Sequence, residues 1–177
     1  WANQDIAITA YHPYNSSWKG TSHEFSVSTD QSTEENYRNS DLLWATTTSS
    51  KTENAVPLIF SHKLAKINVT LTSDDIADLS GATISICGTD ISTSFNPADG
   101  TQSATTANVA EIVAGVTTTS AYTASAIVVP QIVVSGTKFI KVEHNSKKFY
   151  YTLNADNSLE PGYSYSYKLN INEAKVE

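Results

Sequence analysis

Tyr163-Ser-Tyr-Ser-Tyr-Lys-Leu-Asn-Ile171 is the stretch on which the fold turns. In an extended chain Tyr163, Tyr165, Tyr167, Leu169 and Ile171 fall on one side, and Ser164, Ser166, Lys168 and Asn170 on the other. A two-residue period sustained this far belongs to a strand with one wet face. A helix would scatter the same residues around its axis.

Working outward, the alternation recurs. Ala65, Ile67, Val69 and Leu71 share one face of a strand over 64–71. Ile6, Ile8 and Ala10 share one that ends at Tyr11-His-Pro-Tyr14, where Pro13 cannot donate to a ladder. Shorter strands are predicted at Phe25 and Val27, over 42–48, 58–62 and 81–87, and over 124–129 and 132–134 on either side of Pro130. Residues 137–143 and 147–154 predict a hairpin around His144-Asn-Ser146. Residues 28–40 and 49–54 read as polar connections, and 88–108 as a Ser/Thr/Asn/Gly-rich meander. Ser73-Asp-Asp-Ile-Ala-Asp-Leu79 predicts a helical turn capped by Ser73. Many short strands between turn residues mean an all-β sandwich or barrel with little helix.

Composition agrees. Of 177 residues, 40% are hydrophobic and 16% charged, a balance of neither disordered nor membrane-spanning chains. Roughly a quarter are Ser or Thr, which with Val, Ile, Tyr and Phe suits a half-buried pleated surface. The net charge of −7 and a single arginine, Arg38, argue against nucleic acid and anionic lipid as partners. No apolar run approaches the roughly 18 residues that span a bilayer. With no Met at all, the chain is expected to follow a removed leading segment: a signal peptide, a pro-segment or part of a domain.

Chemistry is sparse. His12, His23, His62 and His144 form no close pair, so no metal site is expected, and His62 inside a strand is expected to donate to a carbonyl. Asp74, Asp75 and Asp78 lack the calcium-loop spacing. Cys87 lies in Ala82-Thr-Ile-Ser-Ile-Cys-Gly88 and reads as a small packing residue. There is no G-x-S-x-G elbow and no nucleotide-binding glycine loop, so neither catalysis nor a cofactor is expected. Asn15-Ser-Ser17 and Asn68-Val-Thr70 fit the glycosylation triplet, a pattern frequent by chance. Trp1, Tyr11, Tyr14, Trp18, Tyr37 and Trp44 concentrate early in the chain. They either fill a core edge or offer platforms for sugar rings. The strand from Tyr163 to Ile171 closes its own domain or serves at an exposed sheet edge, as groove wall or as donor.

Several segments, taken together and in order, resemble the fimbrillin family of Bacteroides and related bacteria, the type V pilins with their anchor and tip proteins. They are Ala10-Tyr-His-Pro-Tyr14, Phe25-Ser-Val27 with Asp30-Gln-Ser32, and Ser40-Asp-Leu-Leu-Trp-Ala45. Further along come Phe60-Ser-His-Lys-Leu-Ala-Lys-Ile67, Leu79-Ser-Gly-Ala82, Ala126-Ile-Val-Val-Pro-Gln131 with Gly136-Thr-Lys-Phe-Ile140, and Gly162-Tyr-Ser-Tyr-Ser-Tyr167. The resemblance implies a transthyretin-like antiparallel β-sandwich of Greek-key type, usually two domains in tandem. It also implies an outer-membrane lipoprotein precursor, a removed leading segment, and assembly with other fimbrial subunits by a donated strand. On that pattern residues 1–55 end an N-terminal β domain and 56–177 form most of a C-terminal one. The function expected is structural, in a cell-surface fimbria engaged in adhesion to host or bacterial ligands. The rival from another class is a carbohydrate-binding surface module using Trp18 and Trp44.

Overall fold

The computed structural model describes residues 5–19, 21–50, 55–104, 108–119 and 121–172. The chain enters through β1 (Ile6–His12) and β2 (His23–Ser26). Within the stretch read as a polar connection lies α1 (Glu34–Asn39). Thr33 caps it by accepting the Asn36 N–H, with Glu34 and Glu35 in the first turn and Arg38 in the last. Those choices suit the helix dipole, but six residues are too few to show a helical period. β3 (Leu43–Ser49) follows. The strand expected over 58–62 shrinks to β4 (Ser61–His62), because Pro57 has no N–H to give and the segment up to Phe60 runs unpaired.

β5 (Ala65–Thr72) alternates buried and half-exposed residues along its length. The helical turn expected after it is instead a side-chain turn, with the Ser73 hydroxyl accepting from the backbone N–H of Asp75 and Ile76. β6 (Thr83–Asp90), β7 (Ser92–Phe95) and β8 (Gln102–Ala104) come next, the last two inside the expected meander. β9 (Val109–Val113), β10 (Gly115–Thr119), β11 (Ala121–Val128) and β12 (Gln131–Val133) lead to the hairpin of β13 (Lys138–His144) and β14 (Lys147–Thr152). Its turn places Asn145 and Ser146 at φ of 48° and 63°, the left-handed pair that matches strand twist. β15 (Asn157–Leu159) and β16 (Ser164–Asn170) complete the described chain.

Two four-stranded sheets, ordered β14-β13-β6-β9 and β10-β11-β5-β16, pack face to face. Ile84, Ile86, Ile140 and Val142 from the first meet Ile67, Val69, Leu71, Ala124 and Ala126 from the second, all buried. Burying one such aliphatic side chain stabilises by about 1.5–3 kcal/mol, so this interior carries the fold. The Tyr122 hydroxyl also donates across the gap to the Ala82 carbonyl. Smaller sheets, β1-β3-β4, β2-β7-β8 and β12-β15, surround the pair.

The architecture is an all-β sandwich, as expected, with one correction to the antiparallel reading. β16 lies parallel to β5, in register from Ser164 opposite Lys66 to Asn170 opposite Thr72. No hairpin dictates its direction, since some ninety residues separate the two strands. Its entry is set by Gly162, at φ +77°, whose N–H donates to the Leu64 carbonyl at the start of β5. Two sheets also run across residues 51–55: β2 pairs with β7, and β3 with β4.

Candidate functional site

The sandwich has two long sides, and they differ. On one, β9 leads through Ala114 straight into β10, so a single chain passes from one sheet to the other. Residues 29–31 line that crossing: Gln31 N–H donates to Val113 O at 2.9 Å, and Val113 N–H to Thr29 O at 2.8 Å. The Gln31 side chain, fully buried, then accepts from Ile127 N–H and donates to Ile127 O, each at 2.8 Å. Its amide acts as a missing strand residue. Gln131 does the same for Asp90, accepting its N–H at 2.8 Å and donating to its carbonyl at 3.0 Å.

On the other side stand β14 and β16, each the end strand of its sheet. The bonds Lys66 N–H to Tyr163 O and Thr72 O to Ile171 N–H assign the odd-numbered residues of β16 to β5. In a parallel ladder alternate residues point their backbone groups the opposite way. The amides and carbonyls of Ser164, Ser166, Lys168 and Asn170 therefore face outward, with no strand partner among the described residues.

Between these edges runs a groove of about 480 Å³, floored by Val142, Phe149, Tyr151, Leu169 and Ile171 and rimmed by Lys168 and Asn170. Val142 and Ile171 are buried, whereas Phe149, Tyr151 and Leu169 are half-exposed. An apolar floor between two sheet edges that have no strand partner among the described residues can take one extended chain: hydrogen bonds at the rim, alternate side chains inward.

The expected strand residues divide within this frame. Leu169 and Ile171 line the groove. Tyr165 is used by its own chain, its hydroxyl donating to Ser158 O and accepting from Glu160 N–H, both at 2.8 Å. Tyr167 accepts from Asn157 Nδ2 at 2.7 Å, and its ring meets Phe139 and Tyr151 edge-on, each at 5.6 Å. Burial pushes its hydroxyl pKa up. Tyr163 is 66% exposed and clear of the groove. The opposite wall, Phe149 and Tyr151, was visible as an alternating strand, but nothing in its residues said that the strand ends a sheet.

The remaining candidates are absorbed locally. Trp18 stacks between Tyr11 and His23, at 5.5 and 5.8 Å, against Phe25 and Phe95. Trp44 donates its Nε1–H to Pro97 O at 3.1 Å and covers Gly100, where a Cβ would meet its ring at 2.5 Å. Trp1 lies outside the described residues. His62 Nδ1 pairs with a carboxylate, Asp41 Oδ1 at 2.9 Å, where a carbonyl was expected. Asp78 is held below the usual carboxylate range by the backbone N–H and hydroxyl of Ser80. Among the described residues no three His, Cys, Asp or Glu converge to hold a metal. Cys87 is half-buried and burial raises its thiol pKa, away from the reactive thiolate. Among the described residues no helix is long and apolar enough to cross a membrane.

The model of the fimbrillin-like family matches residues 1–177. A candidate cell adhesion protein of Bacteroides uniformis is 26% identical, with a TM-score of 0.74 over 97% of this chain and 69% of its own. A second, from Bacteroides ovatus, is 22% identical, with a TM-score of 0.76 over 96% of this chain and 64% of its own. A fimbrial protein of Bacteroides ovatus is 12% identical, with a TM-score of 0.53 over 92% of this chain and 36% of its own. The chain thus spans about two thirds of the first two structures. A search among curated proteins finds no match.

Proposed function

The chain belongs to the fimbrillin-like family, and from that premise we propose that it is a structural subunit of a cell-surface fimbria engaged in adhesion. Its role in this reading is cohesive and involves no catalysis. Other fimbrial subunits are its partners, and host or bacterial surface ligands are met by the assembled fibre. The subunit reaches the surface as an outer-membrane lipoprotein precursor. Residues 1–55 then close an N-terminal domain of the longer architecture, and 56–177 form most of the C-terminal one.

Assembly proceeds by strand donation into the groove between β14 and β16. One observation carries this: two sheet edges flank an apolar floor, with the backbone groups of β16 residues 164, 166, 168 and 170 turned outward. Unpaired edges of this kind recruit another strand unless they are blocked. Here the rim carries a lysine, Lys168, yet the floor stays apolar. The test is Leu169→Asp in the surface-expressed protein, read by light scattering of the extracted material. Monomers with an unchanged circular-dichroism spectrum are expected; undiminished oligomers would remove strand donation at this groove.

A further inference from the structure

A second recess, of about 290 Å³, opens where α1 lies against the outer face of the β10-β11-β5-β16 sheet. Its walls are Tyr37 and Glu34 of α1, Thr33 before it, Lys66 of β5 and Ser125 of β11, with the Gly115 backbone beside them. That volume sits at the lower end for small-molecule sites.

The chemistry of the walls is selective. Lys66 places its ammonium 5.8 Å from the Tyr37 ring centroid, and among the described residues it has no carboxylate partner. Lys141, the comparable lysine on the outer face of the other sheet, is held by Glu111 at 2.5 Å and Glu143 at 3.4 Å. Glu34 contacts Arg38 through Oε1 alone, at 3.5 Å, so its other oxygen can still accept, and Lys66 rests beside the Tyr37 ring with no ion pair to a described carboxylate. Ser125 is oriented from behind: its hydroxyl donates to Asn68 Oδ1 at 2.9 Å, and Asn68 Nδ2 donates to Ser164 Oγ at 2.7 Å. With its proton committed, Ser125 Oγ presents lone pairs to the recess. Thr33 is the converse, since its oxygen accepts the Asn36 N–H at 3.2 Å and its own proton remains to give.

We propose that this recess binds a carboxylated monosaccharide, such as the terminal residue of an acidic glycan. The ligand carboxylate meets Lys66, a C–H face of the sugar lies along Tyr37, and its hydroxyls donate to Ser125 and Glu34. A fatty acid or a simple carboxylate would leave those two acceptors without a donor. A phosphate dianion would face Glu34 with one lysine to balance it. The site is separate from the β14/β16 groove, so it stands or falls apart from subunit assembly.

Titration of the folded chain with glucuronate, followed by ligand-observed NMR, tests it, with glucose and acetate as companions. Saturable glucuronate binding is expected, with glucose and acetate each at least tenfold weaker, since both the charge and the hydroxyls are needed. Lys66→Gln should lose at least tenfold, as a charge-assisted bond is replaced by a neutral one. Ser125→Ala should lose a few fold and decides the matter if Lys66→Gln fails to fold. Leu169→Asp should bind as wild type. The proposal is overturned by no saturation up to about 10 mM, by acetate binding as well as glucuronate, or by folded variants that bind unchanged.

Discussion

The two long sides of the sandwich solve the same problem in opposite ways. Each has two sheet edges with backbone groups to satisfy. The β9/β10 side is closed by the chain itself, which crosses between sheets at Ala114, and by Gln31, whose side-chain amide completes the ladder at Ile127. The β14/β16 side is covered over only half its length, by Tyr165, Tyr167 and the β15 segment, and beyond Tyr167 it is a groove. Sealing an edge thus takes both chain continuity and a polar side chain buried deliberately. Where neither is supplied, the edge has no strand partner among the described residues, and in the proposed function it takes a strand from another subunit.

The largest effect belongs on the closed side. Gln31→Leu keeps the volume but strips both partners from Ile127, leaving a buried N–H and a buried carbonyl unpaired. At about 1–3 kcal/mol for each group, the loss should reach about 2–6 kcal/mol in urea denaturation. Gly115→Ala attacks the same seal from the other direction, because a Cβ there would stand 2.8 Å from the Gln31 carbonyl. A Gln31→Leu protein as stable as wild type would show that the amide is not what closes this side.

On the open side the expected signs separate. Leu169 is half-exposed at the groove floor, so Leu169→Asp should cost the monomer only about 1 kcal/mol while removing assembly. If it unfolds the monomer instead, the groove is part of the domain's own core and the contrast between the sides fails.

These variants also mark how far the sequence could be read. Alternation located the strands of both faces, because a one-residue period error would bury Ser and Lys in place of Ile and Val. It could not assign neighbours. That β16 lies beside β5 and parallel to it depends on where Gly162 turns the chain, not on the pattern of β16 itself. The motifs Asp30-Gln-Ser32 and Val-Pro-Gln131 stood out only by resemblance, and their physical reason is a pair of ladder-completing amides, Gln31 buried and Gln131 half-buried, invisible to any hydrophobic period. α1 was hidden for a related reason: its signal is a cap and two acids, within a stretch of polar residues that looks like a loop. Of the groove, Leu169 and Ile171 were legible as one face of a strand that could be wall, donor or closing strand. Phe149 and Tyr151 were legible as a strand but not as the facing edge.

A smaller effect links the two sides across the outer face of one sheet. Lys148 on β14, Glu143 and Lys141 on β13, and Glu111 on β9 form a row of ion pairs reaching from the open edge to the closed one. Burial works against ionised Glu111, yet its hydrogen bond and charge contact with Lys141 hold its pKa below the usual 4.5. Hydrogen bonds from Lys148 and Lys141 do the same for Glu143. Lys141 is raised above 10.5, chiefly by its bond to Glu111. The carboxylates therefore contribute stability fully above 4.5, lost as pH falls through their lower folded values. The lysine contributes below 10.5, lost as pH rises through its raised value. Lys141→Met should flatten both limbs of the melting-temperature profile; an unaltered acid limb would mean the row does not couple the strands.

The smallest effect tests the covered half of the open side. Tyr167→Phe removes the acceptor for Asn157 Nδ2 but keeps the ring against Phe139 and Tyr151. Asn157 is only half-buried and can turn to water, so the cost at neutral pH should be about 0.5–1 kcal/mol. The alkaline limb carries the sharper information. Burial raises the Tyr167 pKa above 10.0, so the unfolded chain ionises first and the native state loses stability as pH climbs past that value. Phenylalanine cannot ionise, and the two proteins should converge above about pH 10. A gap that stays constant there would place the Tyr167 hydroxyl in water, and the covered half of this side would be as open as the groove beyond it.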